Sequence, residues 1–144
     1  SEIFDRIVAG RRSLRAFLPQ QADSATLEKV FSVAQQAPSN CNTQPWVTHV
    51  ASGEKLESLR AEMPDRFMSG KFTMDFPYDG AYEGVYKERQ YGAAQALYDS
   101  VGIAREDKAG RHDQFMRNFT FFDAPHVAFL FLPEPFPWRF CKAP

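Results

Sequence analysis

Three arginines and a serine lie within five residues near the start of the chain, at Arg11, Arg12, Ser13 and Arg15. Guanidinium groups form planar, charge-assisted hydrogen bonds that match phosphate oxygens, and a serine hydroxyl adds a compact donor. A solvated basic turn would have the same composition. Two features favour an anion-binding site: apolar residues interleave with the arginines, and the formal net charge of the chain is only -1, so the positive charge is concentrated locally.

A second polar segment, residues 36–46 with the sequence QAPSNCNTQPW, follows a predicted helix and precedes a predicted strand. Proline fixes the backbone and removes donors, whereas short Asn and Ser side chains either fold back onto a turn or face a ligand. Trp46 closes the segment with a large apolar surface. The pattern is typical of a proline-bracketed turn with satisfied side chains, and equally of a preorganised loop that binds the polar edge of a planar molecule.

The composition limits the fold and the partners. A chain of 144 residues, 44% hydrophobic and 24% charged, has the size and composition of one globular domain. The absence of a strong basic field argues against nucleic acid as a partner. Cys41 and Cys141 lie far apart, which is typical of a reducing compartment, so we expect a cytoplasmic location. We expect neither a signal peptide nor a membrane segment, because residues 1–10 are charged throughout and no apolar run is long enough.

Hydrophobic spacing predicts the two helices that precede the polar loop. Apolar residues at positions 3, 4, 7 and 8 predict a first helix, with Ser1 as its cap and Gly10 as its end. Asp23 or Ser24 is predicted to cap the second helix, which ends before Pro38. The predicted core face of that helix comprises Leu27, Val30, Phe31 and Ala34.

The rest of the chain is predicted to mix helices with two strands. The elements are a strand over residues 46–51, a short helix from Ser52–Gly53 to Pro64 with Leu56 and Leu59 inward, an irregular segment over 65–80, helices over 82–101 and 106–121, and a strand over 126–132. The helix over 82–101 is expected to bury Tyr86, Gln90, Ala93, Ala94, Leu97 and Val101. The last strand is apolar throughout, which predicts burial on both faces.

Several other residues could do chemistry but lack the partners for it. His49, His112 and His126 do not have the spacing of metal ligands, so no metal site is predicted. No residues around Cys41 support a nucleophile, and we interpret it as a small packing residue. A stripe of phenylalanines at positions 115, 119 and 122 indicates a core or dimer contact rather than a cofactor site.

Together, the two polar segments resemble the FMN-dependent nitroreductase family. The resemblance rests on residues 11–17 (RRSLRAF) and, after an intervening helix, on residues 37–46 (APSNCNTQPW). A weaker match is FFDAPH at residues 121–126, which leads into an apolar strand. These matches predict a nitroreductase-like domain over residues 1–132, followed by an irregular proline-rich tail over 133–144.

The resemblance implies an α+β sandwich with helices around a central, mostly antiparallel sheet, which forms a homodimer with FMN at the interface. For the flavin phosphate and ribityl chain it implies Arg11, Ser13 and Arg15, with Arg12 in support. For the isoalloxazine ring it implies Pro38, Ser39, Asn40 and Asn42, with Gln44 reaching it from the same loop. It implies no catalytic side chain and no metal, because the flavin carries the chemistry.

The reaction implied by the resemblance uses NAD(P)H as the hydride donor. An electron-poor acceptor, such as a nitroaromatic or a quinone, then takes the place of the nicotinamide, which gives a ping-pong cycle. One alternative keeps the fold but cleaves flavin or removes halogen from aromatic amino acids; residues 65–80, with Lys71, Phe72, Phe76 and Tyr78, would then form a substrate lid. Another alternative is a non-catalytic flavin-binding protein.

Family members continue past the strand near residue 132 with a long helix, another strand and a C-terminal extension, which add flavin contacts and much of the dimer core. The sequence LPEPFPWRFCKAP from residue 132 does not resemble that continuation. A truncation, a proteolytic fragment or a shifted reading frame would each produce such an ending. Either a partner or the rest of a longer chain would then cover the apolar last strand.

Overall fold

The computed structural model describes residues 1–75 and 80–134 and divides the chain into two compact units. The first unit contains Ser1–Ser58 together with Phe122 and the described residues after it, and the second contains Leu59–Phe121. The predicted boundary at residue 132 stays a prediction. Phe76, Tyr78, Cys141 and most of the predicted tail lie outside the described residues.

The described elements follow the predicted order of helices and strands. They are α1 (Glu2–Gly10), α2 (Ser24–Ala34), β1 (Val47–Ser52), α3 (Gly53–Met68), α4 (Gly84–Ser100), α5 (Lys108–Met116) and β2 (His126–Phe131), with short 3-10 turns at Asn40–Asn42 and Phe121–Asp123. None of these helices is both long and apolar enough to cross a bilayer. Within residues 1–75 and 80–134, no three His, Cys, Asp or Glu side chains are grouped to hold a metal ion.

The two strands form an antiparallel sheet in the first unit. Val47 pairs with Phe131 and Ser52 pairs with His126, so the register runs without a bulge along both strands. The predicted burial of the last strand on both faces is wrong here: Leu130 is 70% exposed and Phe131 is 53% exposed. The sheet formed by the described residues has two strands, so this end of β2 has a hydrogen-bonding neighbour but no covering layer.

Local hydrogen bonds explain where two of the helices end. Asp23 Oδ1 accepts from the Thr26 backbone N–H at 2.8 Å, which confirms Asp23 as the cap of α2. At the end of α4, the N–H of Gly102 donates to Asp99 and that of Ile103 donates to Tyr98, with Gly102 at φ 69°. This is a Schellman ending, in which glycine adopts the left-handed conformation without a steric penalty.

Helix α3 passes through Pro64 and continues to Met68, so the predicted end at Pro64 is wrong. An interior proline costs a helix about 3 kcal/mol. The last turn of α3 is held by the Arg66–Glu62 ion pair and by Phe67, whose ring lies 4.3 Å from Phe119, 5.2 Å from Phe72 and 5.5 Å from Phe115 (centroid distances). Aromatic pairs contribute about 0.5–1.5 kcal/mol each, so three of them are comparable to the proline penalty.

Helix α5 is shorter than the predicted helix over residues 106–121. Asp107 Oδ1 accepts from the Gly110 N–H at 2.8 Å and so defines its start. Beyond its end at Met116, Phe121, Phe122 and Asp123 all have positive φ, between 52° and 64°, which no α-helix accommodates. The predicted phenylalanine stripe therefore divides: Phe115 and Phe119 pack around Phe67, whereas Phe122 follows the turn into the first unit.

Burial in the described residues is concentrated at a few positions. Leu56, which was predicted to face inward, is 1% exposed, and Leu59 is half-buried. The predicted core face of α2 is only partly covered, since Leu27 and Phe31 are half-buried but Val30 is 56% exposed. Similarly, the predicted face of α4 is half-buried at Ala94 and Leu97, whereas Tyr86, Gln90, Ala93 and Val101 are exposed. The apolar face of α1 is present but exposed, at Ile3, Phe4, Ile7 and Val8.

Candidate functional site

The arginine segment begins where α1 ends, and Arg12 marks the junction. Its Nη1 donates to the carbonyls of Ala9 at 2.8 Å and Arg11 at 2.9 Å. Ala9 lies in the last turn of α1, where carbonyl groups lack helical partners and the helix dipole favours positive charge. Arg12 is thus engaged by the backbone, a geometry that fits the supporting role suggested for it.

Arg11 and Arg15 both contact Ser13. Arg11 Nη1 lies 3.4 Å from Ser13 Oγ, and Arg15 Nη1 lies 3.4 Å from the Ser13 carbonyl oxygen. Both distances are long for hydrogen bonds, so these contacts are weak. All three side chains are exposed, and in the described part of the chain no carboxylate forms an ion pair with either arginine. Arg11 thus contacts the Ser13 hydroxyl and Arg15 contacts the Ser13 backbone carbonyl, and both guanidinium groups keep donor capacity for an anion.

Hydrogen bonds within the polar loop hold its backbone in shape. The Gln44 N–H donates to Ser39 Oγ at 2.9 Å, and Thr43 Oγ1 donates to the Asn40 carbonyl at 3.0 Å. Trp46 Nε1 donates to Gln35 Oε1 at 3.1 Å, which joins the end of the loop to the end of α2. Ser39 thus closes the loop through an internal hydrogen bond. This is the geometry expected for one of the two predicted alternatives, a turn with satisfied side chains.

Backbone strain is concentrated in the same loop. Cys41, Asn42 and Gln44 have φ values of 51°, 53° and 43°. The left-handed region costs a residue other than glycine about 1–2 kcal/mol, less for asparagine. Such conformations persist where the surrounding structure demands them and are frequent at binding sites. A simple turn does not require three left-handed residues other than glycine, so the backbone of this loop is more strained than a turn alone would need.

The side chains predicted to line a flavin ring differ in how the structure uses them. Pro38, Asn42 and Gln44 are exposed, and Ser39 is half-buried and hydrogen-bonded. Asn40 Oδ1 lies 3.6 Å from Cys41 Sγ, and Cys41 is exposed, so its interpretation as a packing residue is wrong. The described contacts include no hydrogen bond between the arginine segment and this loop; each is built from its own neighbours.

His126 has a structural role that sequence reasoning missed. Its Nε2 accepts from the Ala22 N–H at 3.0 Å, 104 residues away in the chain, and so ties the start of β2 to the segment before α2. Its Nδ1 is buried and has no hydrogen-bond partner among the described residues. The only sequence signal was its position at the start of an apolar strand, which does not identify a partner.

Comparison with known proteins identifies the class of protein. The nitroreductase family matches residues 8–140, and the chain belongs to that family. It is 38% identical over 131 residues to nitroreductase NfnB of Mycolicibacterium smegmatis, which covers 90% of this chain and 56% of NfnB. A 4-nitrobenzoate reductase of Nocardioides sp. is 36% identical over 130 residues, covering 86% of this chain and 52% of that enzyme.

The fold is confirmed by a solved relative. The crystal structure of the FMN-dependent nitroreductase NfnB from Mycobacterium smegmatis, in complex with NADPH, superimposes with a TM-score of 0.88 at 36% identity. The match covers 97% of this chain and 64% of that one. The predicted α+β nitroreductase fold is therefore correct, and this chain spans about half to two thirds of the length of the relatives it matches.

Proposed function

We propose that this chain acts as an FMN-dependent oxidoreductase that uses NAD(P)H to reduce nitroaromatics, quinones or similar electron-poor acceptors by a ping-pong mechanism. Family membership supports the class of reaction. The relatives support the details: one is described as a 4-nitrobenzoate reductase, and another as FMN-dependent with NADPH bound. The observation on this chain that carries the proposal is the convergence of Arg11 and Arg15 on Ser13.

The chemistry of this donor set fits the phosphate end of FMN. A phosphate dianion is recognised best by several charge-assisted donors, and two guanidinium groups with a hydroxyl provide them within one short segment. Arg12, which donates to the carbonyls of Ala9 and Arg11, adds positive charge to the segment. Arg11, Ser13 and Arg15 bind the phosphate and ribityl chain, and Arg12 supports them.

The polar loop fits the ring end of the same cofactor. Pro38, Ser39, Asn40, Asn42 and Gln44 provide backbone and side-chain groups for the ring edge, and the Ser39–Gln44 hydrogen bond keeps the loop in one conformation. Bound here, FMN would supply the hydride and electron transfer between the nicotinamide and the acceptor, and these loop groups would hold the edge of its ring. The side chains of this chain bind and orient, and none acts as a nucleophile or metal ligand.

We further propose a homodimer and a cytoplasmic location. The exposed apolar face of α1, at Ile3, Phe4, Ile7 and Val8, is the kind of surface that a second protomer covers. Cys41 is a free, exposed thiol, which suits a reducing compartment. Sedimentation analysis at several concentrations tests the first proposal, and a monomer at every concentration would contradict it.

The visible absorption spectrum of the purified protein, followed by addition of NADPH or NADH without air, tests the activity. We expect a yellow protein that bleaches on addition and recovers when a nitroaromatic is supplied. Loss of the flavin itself under oxygen would favour the flavin-cleaving alternative, and a yellow protein that neither nicotinamide bleaches would favour a non-catalytic flavin-binding protein. A colourless protein that takes up no added FMN would overturn the proposal.

A further inference from the structure

A cavity of about 170 Å³ lies in the second unit, against the later half of α4. The described residues that line it belong to that unit: Tyr91, Ala94, Gln95, Tyr98, Ile103, Arg105 and Arg111. The left-handed Gly102 ends α4 and turns the chain, so that Ile103 and Arg105 return to the wall of the cavity. Arg111 reaches the same cavity from the first turn of α5.

Neither arginine of this cavity has a counter-charge among the residues that the structure describes. Within residues 1–75 and 80–134, Arg111 Nε is buried without a hydrogen-bond partner, and no carboxylate is in ion-pair contact with Arg105 or Arg111. Two acids of the same stretch make other hydrogen bonds: Asp107 Oδ1 accepts from the Gly110 N–H, and Asp99 Oδ1 accepts from Gln95 Nε2 at 2.7 Å. A buried guanidinium N–H without an acceptor is costly, which favours an anion in the cavity.

The other residues that line the cavity favour a ligand with a charged group at one end and a flat, apolar ring at the other. Tyr91 and Tyr98 contribute aromatic side chains to the lining, and Ala94 and Ile103 contribute aliphatic surface. A free phosphate would use the arginines but gain little from these walls, because it is strongly hydrated on every side. The volume is well below the roughly 300–1,000 Å³ of pockets for drug-sized ligands, so the ligand is limited to about one ring.

We propose that this cavity is a binding site for a single-ring aromatic carboxylate of the benzoate class, with the carboxylate at Arg111 and Arg105 and the ring against Tyr91 and Tyr98. Arginine matches a carboxylate through paired N–H donors, and tyrosine rings stack on an aromatic ligand. The described residues of the site lie in the second unit, whereas Arg11, Ser13 and Arg15 lie in the first. It goes beyond the proposed function, which concerns the first unit.

Titration of the purified chain with benzoate, followed by two-dimensional NMR and calorimetry, tests this proposal. Benzamide is the neutral control with the same ring, and inorganic phosphate is the anion without a ring. We expect benzoate to bind with one site per chain, more tightly than either control, and to shift the backbone amide signals of Ile103 and Arg111. The affinity should be the same with and without FMN, which separates this result from the fate of the proposed function.

Two substitutions identify the site. Arg105→Gln removes the charge of an exposed arginine and Arg111→Gln removes that of a half-buried one. Each should weaken benzoate binding by about tenfold or more. Arg89→Gln is the matched control, because Arg89 is an exposed arginine of α4 that does not line the cavity. If Arg111→Gln fails to fold, Arg105→Gln decides. Benzoate binding no tighter than benzamide or phosphate, unchanged by Arg105→Gln, or seen only with FMN would overturn the proposal.

Discussion

Arg11, Arg12 and Arg15 lie within five residues of one another in an exposed segment, whereas Arg105 and Arg111 are brought to one cavity by a turn and the start of a helix. The first group is arranged by local contacts with Ser13 and with the end of α1. In the second group, Arg111 has a buried nitrogen without a partner among the described residues, whereas Arg105 is exposed. Clustering along the sequence thus produced an exposed set of donors, while folding produced a set with one buried donor.

The two sites differ in what it costs to leave an arginine without a ligand. An exposed arginine remains hydrated when no ligand is present, so leaving it unpaired costs little. A buried guanidinium nitrogen gives up its water, so an empty site lowers stability. The two regions should therefore respond in opposite ways when an arginine is removed.

The largest expected effect is on FMN binding in the first region. Arg11→Ala and Arg15→Ala should each weaken binding by about 2–3 kcal/mol, because each removes charge-assisted contacts to the phosphate. Fluorescence titration with FMN measures the change. Arg6→Ala is the control, since Arg6 is an exposed arginine of α1 outside the segment that contacts Ser13. Unchanged affinity in both variants would remove the phosphate assignment.

The next effect concerns stability in the second region. Arg111→Met should raise the free energy of unfolding of the ligand-free chain by about 1 kcal/mol, because an apolar side chain of similar length replaces a buried, unpaired donor. Arg11→Met, at an exposed position, should change it by less than about 0.5 kcal/mol. Urea denaturation measures both. A loss of stability in Arg111→Met would show that this guanidinium is already satisfied, and the contrast would fail.

Arg12 is expected to have a structural role that differs from phosphate binding by Arg11 and Arg15. Arg12→Ala should destabilise the chain by about 0.5–1 kcal/mol, because two backbone carbonyls at the end of α1 lose their donor. Its effect on FMN affinity should be smaller than that of Arg11→Ala or Arg15→Ala. Urea denaturation and the same FMN titration separate the two roles. An FMN defect in Arg12→Ala as large as that in Arg11→Ala would place Arg12 among the direct phosphate ligands.

The smallest effect is expected from Asp23, which caps α2 in the unit that carries the arginine segment. Hydrogen bonds from the backbone and the hydroxyl of Thr26 lower the pKa of Asp23 below its ordinary value of 3.8. Since the pKa is lower in the folded state, this contribution to stability is present above pH 3.8 and is lost as the pH falls through the folded-state pKa.

Asp23→Asn separates the cap from the charge. Asparagine also caps helices, so this variant should keep most of the stability at neutral pH while losing the acid-dependent part that Asp23 provides. Asp23→Ala should lose both. Thermal unfolding of the three proteins between pH 3 and 7 measures these differences. Equal slopes with pH in the parent chain and in Asp23→Asn would contradict the assignment.

Features that depend on neighbours in the chain were predictable from the sequence by itself. The cap at Asp23, the end of α4 at Gly102 and the two strands all follow from local residue types. The same holds for the family, because its motifs at residues 11–17 and 37–46 are contiguous. A hydrogen bond or a φ angle that involves only neighbouring residues is specified by the types of those residues, so it can be predicted from a short stretch of sequence.

Other features of the molecule depend on tertiary contacts and could not be predicted from the sequence. Helix α3 continues through Pro64 because Phe67 packs on distant rings, and β2 remains exposed at Leu130 because the described sheet has no layer there. The left-handed Cys41 and the pairing of Arg105 with Arg111 at one cavity also leave no local signature. The packing of Phe67 depends on residues far apart in the chain, whereas the loop at Cys41 and the cavity at Arg105 and Arg111 depend on how a shorter stretch is folded. A sequence pattern carries the propensity of a segment but not the packing that offsets or overrides it.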